Sequence, residues 1–225
     1  MANTLFLRLE GPMQSWGERA RWSIRDTAPE PTKSGVVGLL GCALGWADDE
    51  SLRRLSMAIH MGVRCDRPGL RMVDYHTIVG GVMAAEGKIK INATTKEPET
   101  VVTERAYLFD ASFLVVIQSQ ETWIDRLSSA IQSPVWPVYL GRKSCPPSLP
   151  VYEGVGEFST IDKAMKDHPI RAISPGPISA RCILECPPGE GKLHSDELVS
   201  NSRRTFQTRQ VIETIFELTA LPKEV

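Results

Sequence analysis

The chain has 225 residues, room for one large domain or two small ones. With 42% hydrophobic and 24% charged residues it has a globular composition, which excludes a disordered, collagenous or coiled-coil chain. Its 26 Lys and Arg against 27 Asp and Glu leave a formal charge of −1, too small for indiscriminate nucleic-acid binding, although a local basic groove stays open.

Thr4–Leu9 alternates, with Leu5, Leu7 and Leu9 on one face and Phe6 and Arg8 on the other, which predicts a strand ended by Gly11-Pro12. Arg8 and Glu10 interrupt what would be the apolar region of a secretory leader. The longest apolar run, Val36–Trp46, is broken by glycines and falls short of the ~18 residues a membrane span needs. A cytoplasmic protein without membrane association is expected. Gln14–Pro31 has no periodicity and is expected as a long loop. Thr32 or Ser34 is placed to cap a glycine-rich helix over about Gly35–Leu44, followed by a short helix at Glu50–Ala58.

Strands are predicted at His60–Asp66, Arg71–Val79 and Asp110–Gln118, a helix at Thr122–Gln132 with Thr122 as cap, and a short strand at Val135–Leu140. The order of strand, helix, strand, strand, helix, strand is that of a split-βαβ, ferredoxin-like α+β domain, the topology also of RNA-recognition modules. The extra segment Gly80–Thr103 is too long for a turn. There KIKIN (Lys88–Asn92) alternates and TVVT (Thr100–Thr103) could pair with it, predicting an inserted β-hairpin arm. Residues 1–145 are thus expected as the ferredoxin-like domain. Residues 146–225 are expected as a smaller β-rich lobe, with strands at Ile178–Cys186 and Arg204–Leu218, a helix near Thr160–Lys166 and a turn at PPGEG.

Five cysteines, an odd count without paired spacing, read as reduced thiols. Cys182 and Cys186 have no second pair beside them and the four histidines are scattered, so neither a metal nor any other cofactor is expected. PTKSGVVGLLG places its glycines after Lys33-Ser34, the reverse of a nucleotide-hydrolysing phosphate loop. Two readings remain: a helix amino terminus that seats one phosphate, or a capped helix whose glycines allow close packing. DYHTI joins Asp74, Tyr75 and His76, but on a strand Tyr75 and His76 point to opposite faces, which disfavours an acid–base nuclease centre. Basic residues carry more. No acid lies between Arg126 and Tyr152, where Arg142, Lys143 and Ser144 follow a glycine turn. Arg203, Arg204 and Arg209 surround Phe206, and Arg105 stands beside Tyr107. Cations interleaved with aromatics suit single-stranded RNA.

RLEGPMQSWG, PTKSGVVGLLGCALG, GVRCDRPG, DYHTI, TERAYLFDASFLV and YLGRKSCPP occur in that order across residues 4–151. Together they resemble the Cas family 5 subunits of type I-E CRISPR Cascade complexes. The resemblance implies a non-catalytic subunit with an RNA-recognition-like fold and a hairpin thumb. Such a subunit grips the 5′ handle of the CRISPR RNA beside the backbone subunit CasC and the large subunit CasA, and meets target DNA through the assembled complex. It implies handle contacts at Gln14, Ser15, Trp16, Lys33, Ser34, Arg105, Arg142, Lys143 and Ser144, with Tyr75 and His76 in the matching DYH motif. Tyr107 and Arg204 join them as aromatic and cationic candidates. Type I-C relatives are metal-independent ribonucleases, so the alternative is a CRISPR-RNA processing enzyme using His76, Tyr75 or Lys33. No RNP1 pattern is present, so loops and thumb, rather than aromatics across the sheet, are expected to hold RNA.

Overall fold

A computed structural model describes residues 2–17, 23–81, 83, 87–170 and 176–220. Part of the long loop (18–22) and part of the arm (82 and 84–86) lie outside the described residues. The strand β1 (Thr4–Glu10) pairs on one side with β7 (Ser112–Gln118) and on the other with β8 (Tyr152–Gly156), both antiparallel. Beyond β7 follow β4 (His60–Arg67), β9 (Gly176–Cys186), β11 (Thr205–Ala220) and β10 (Lys192–Ser200), giving a seven-stranded antiparallel sheet in the order β10-β11-β9-β4-β7-β1-β8.

Three helices cover one face: α1 (Lys33–Leu44), α2 (Asp49–Ala58) and α3 (Glu121–Gln132). Leu5, Leu7 and Leu9 share that core with Met61, Val63, Phe113, Val115 and Ile117 of the sheet and Val36, Leu40, Leu55 and Leu127 of the helices. The other face carries α4 (Ile161–Asp167), whose Ala164 and Met165 pack on Phe6, Leu114, Val116 and Cys182. Burial on both faces explains why β7 reads as an unbroken apolar run. It also obliges the inward Arg8 to be paired: Nε donates to Glu153 at 2.7 Å and Nη1 to Asp66 at 2.7 Å. Arg64 closes the group on Asp66 at 2.6 Å.

The second sheet is built on β6 (Val101–Phe109). Along one edge it pairs antiparallel with β5 (Leu70–Ile78). The other edge takes the short β2 (Met13–Gln14) and β3 (Ile24–Arg25). The β5–β6 ribbon is the arm. Its pairing differs from the expected one: TVVT pairs with His76–Ile78 of β5, and KIKIN makes only isolated bridges, Met83 with Ile89 and Ile91 with Pro98. The strand expected at Arg71–Val79 therefore stands outside the large sheet.

Three further expectations are corrected. Val135–Leu140 is not a strand. Pro134 precedes the run and Pro137 interrupts it, and the N–H groups of Val135 and Trp136 donate to the Ala43 and Cys42 carbonyls (3.0 and 3.1 Å), closing the carboxyl end of α1. The strand after α3 is instead β8. Thr122 lies inside α3; Gln120 is the cap residue and makes no side-chain cap bond. An additional strand, β10, separates the PPGEG turn from β11. Residues 146–225 supply β8 to β11 and α4, and all four strands join the sheet begun by β1, β4 and β7.

Candidate nucleic-acid interface

Thr32 caps α1 by accepting from the Gly35 N–H, and the Lys33 N–H donates to the Asp196 carboxylate at 2.7 Å. The helix amino terminus is thus occupied by the protein's own anion. Lys33 is 1% exposed and its Nζ lies 3.0 Å from Glu185 and 3.1 Å from Glu197. Of the two readings of PTKSG, close packing holds: a Cβ at Gly35 would come 2.8 Å from Trp16, and one at Gly41 2.5 Å from Leu52. Gln14, Ser15 and Trp16 are equally interior. The Gln14 amide donates to the Leu9 and Ala111 carbonyls (3.0 and 2.9 Å) and accepts from Trp16 Nε1 at 3.1 Å; Ser15 Oγ donates to Ala106. Those internal bonds turn the side chains of Gln14, Ser15 and Lys33 inward, while Ser15 also borders a cleft. They fix one wall of the surface beside α1.

That wall belongs to a cleft of about 1010 Å³. Trp16, Ser34, Arg142, Lys143 and Arg204, far apart in sequence, all line it. The structure adds residues that sequence reasoning missed: Arg25, Gly38, Trp46, Trp136, Tyr139 and, as a wall residue, Phe206. Trp136 and Tyr139 were hidden by the false strand, and Arg25 by a loop without pattern. Arg142 is the pivot. Its Nη2 donates to the Arg25 and Asp26 carbonyls at 3.0 and 3.2 Å, and its guanidinium lies 4.8 Å over the Tyr107 ring. Among the described residues, its Nη1 and the Nε of Arg25 are buried without a hydrogen-bond partner. Gly141 makes the turn possible: φ is +84°, and a Cβ there would press into the Ser15 carbonyl oxygen. Partial burial, then the Cys42 thiol beside it, pushes the Tyr139 phenol pKa up, so Tyr139 faces the cleft as a neutral hydroxyl.

The turn after β10 forms the opposite rim. The Asp49 carboxylate, at the start of α2, accepts from Ser200 Oγ and Ser202 Oγ (both 2.6 Å) and from the Asn201 and Ser202 N–H groups (2.8 and 2.9 Å). These bonds, that of Ser200 foremost, hold its pKa far below the usual carboxylate range. Asn201, Arg204 and Phe206 are thereby set along the cleft.

The remaining candidates are not brought to the cleft lining. Tyr75 and His76 are exposed on β5, on alternate faces. Arg105 is half-buried on β6, opposite Asp74, with Nε donating to Thr103 Oγ1 at 3.2 Å. Tyr107 is buried and serves as the platform under Arg142. Ser144 is exposed beside Cys145. Among the described residues no group of His, Cys, Asp or Glu could hold a metal ion, and no helix is long and apolar enough to cross a membrane. The cysteines are unpaired, and burial pushes the Cys65 and Cys182 thiols up to about 11 and about 12.

Known proteins share this architecture. A solved chain from a "CRISPR RNA-guided surveillance complex" superposes with a TM-score of 0.78 at 31% identity, covering 96% of this chain and 91% of that one. A second, titled "Crystal structure of Cas protein", gives 0.70 at 35% identity over 95% of each. The CRISPR system Cascade subunit CasD of Escherichia coli (strain K12) is 34% identical over 224 residues, spanning 93% of this chain and 88% of its own length. Residues 4–217 match the family model described as CRISPR-associated protein (Cas_Cas5). With the mixed α/β fold and the ordered motifs in agreement, the chain belongs to the Cas5 family of CRISPR-associated proteins.

Proposed function

We propose that this chain is a non-catalytic Cascade subunit of the type I-E kind, working in the cytoplasm in antiviral defence. In this reading it holds the repeat-derived 5′ handle of CRISPR RNA in the cleft, sits against CasC-like and CasA-like neighbours, and meets target DNA only through the assembled complex. The carrying observation is the convergence of Arg25, Arg142, Lys143 and Arg204 with Trp16, Trp46, Trp136 and Phe206 on one cleft. Guanidinium and ammonium groups suit phosphates, and aromatic faces suit unstacked bases. The titles of the relatives name Cascade and an RNA-guided complex, which supports the same assignment.

The ferredoxin-like reading is part of this proposal. It is supported by the order β4-β7-β1-β8, with α1 and α2 between β1 and β4 and α3 between β7 and β8. The β5–β6 ribbon is read as the thumb. Against the ribonuclease alternative stand the alternate faces of Tyr75 and His76 and the two carboxylates that hold the Lys33 amine. The test is a tagged pull-down from the native host with sequencing of co-purified RNA. Spacer RNAs sharing one repeat-derived 5′ end, together with CasA- and CasC-like proteins, are expected. Background RNA without those partners overturns the assignment.

A further inference from the structure

The β10–β11 hairpin, which forms the far rim of the cleft, has two parts held in different ways. Its root is pinned: Asp196 takes the Lys33 N–H and the Arg209 Nε, both at 2.7 Å, and Leu198 is buried in the main core. Its tip is not. None of the residues from Val199 to Thr208 is buried. The pairing of β9 ends at Cys186 opposite Gln210, so the tip is a ribbon of two strands, an arrangement only marginally stable by itself in water. Between root and tip the register shifts from Leu198 to Ser200, where β10 advances two residues against one on β11. Such a bulge bends a ribbon.

Asp49 is what ties the tip down. Among the described residues, every hydrogen bond from the tip to a residue outside the hairpin ends on the Asp49 carboxylate. One of its oxygens accepts the Ser200 and Ser202 hydroxyls, and the other accepts the Asn201 and Ser202 N–H groups. The helix α2 does not need this residue as its cap, because Asp48 fills that role by accepting from the Ser51 N–H at 2.8 Å. Asp49 itself does not line the cleft, whereas Asn201, Arg204 and Phe206, all on the tip, do. Hydrogen bonds at a surface exchange with water at small net cost, unlike the apolar burial that pins Leu198.

Resting on the RNA-holding reading above, we propose that the tip is a strap at the mouth of the cleft, hinged at the Leu198–Ser200 shift and latched by Asp49, a positioning residue that acts through the turn. The strap swings aside as one unit to let a strand in or out, while the root of the hairpin and the helices stay in place.

The experiment uses the full chain and single-stranded RNA copied from the host's own CRISPR repeat. Amide hydrogen exchange, melting temperature and the rate of RNA release are measured for the wild type, Asp49→Ala and a double variant, Ser200→Ala with Ser202→Ala. The double variant keeps the Asp49 charge at the start of α2, where it favours the helix, and removes only its two hydroxyl donors. In both variants the amides of residues 200–206 should exchange about tenfold faster or more, with those of β4 and β7 unchanged and the melting temperature within about 2 °C of the wild type. RNA release should be several-fold faster, a change that the loss of a favourable charge at a helix start does not give. Tip exchange at the wild-type rate in both variants overturns the strap. Exchange that rises equally in β4 and β7 overturns it too, because Asp49 would then brace the whole fold. Faster tip exchange with unchanged RNA release removes the strap from ligand entry and exit. Failure of the RNA-holding reading shows differently, as a wild type that binds no RNA, and the exchange comparison still decides whether Asp49 latches the tip.

Discussion

Lys33 illustrates what a residue's neighbours decide. On the sequence it is a cation at a helix amino terminus, suited to a phosphate. In the fold its amine stands between Glu185 and Glu197, with almost no exposure. Truncating one partner of a buried ionic group strands the others, which costs about 3–5 kcal/mol. Lys33→Ala should therefore lower unfolding stability by that amount in denaturant titrations. A variant with wild-type stability and weakened RNA binding would show instead that Lys33 faces the ligand. Arg142 and Lys143, which follow the Gly141 turn, and Arg204, in a stretch free of acids, were legible as candidates, and the fold brings all three to the cleft lining. Gln14, Ser15 and Trp16 were legible as a motif but not as a role. A short polar-aromatic run looks the same whether it meets RNA or folds inward onto the Leu9 and Ala111 carbonyls.

At the scale of elements, β10 and β11 are tied to α1 by Asp196. Burial raises its carboxyl pKa, but the Arg209 hydrogen bonds and charge and the Lys33 N–H outweigh this, so the net shift is downward. A carboxyl lowered in the folded state contributes stability above the unfolded value near 4 and loses it as pH falls through the folded value. Asp196→Asn should be less stable than the wild type at pH 7, with the gap narrowing steadily below about pH 4, as read by melts across pH. A gap independent of pH would remove Asp196 from this role. The same buried carboxylate, together with the shifted register between His194 and Glu197, is why β10 did not read as a strand: its alternation is broken where it is most buried. The arm is the opposite case. None of the described residues from Val79 to Thr100 is buried. Replacing residues 80–99 with a two-residue turn should leave the melting temperature within about 2 °C while impairing incorporation into the complex. A large drop in melting temperature would mean that the tip belongs to the core.

For the whole molecule, a formal charge of −1 and a cationic cleft coexist because the cations gather where acids are scarce. If Arg25, Arg142, Lys143 and Arg204 each meet a phosphate, log affinity against log salt should have a slope of about −3, from ~0.7 per phosphate on a single strand. A slope near zero would place binding on stacking alone. The packing of helices on a sheet was readable from the alternation of β1 and β4, the unbroken apolar run of β7, the capped start of α1 and the helical spacing of apolar residues in α3. The second sheet was not readable, since β2 and β3 are two residues long and gain their order only from pairing with β6.

The far rim of the cleft, Leu198 to Phe206, comes after every other wall in chain order, and it is docked by Asp49 and Asp196 onto helices made much earlier. During synthesis the floor and near wall can form while the ribosome is still translating, but the cleft stays open on one side until the β10–β11 hairpin emerges. Under the proposed function, RNA is held only by chains whose β10–β11 hairpin has already been made.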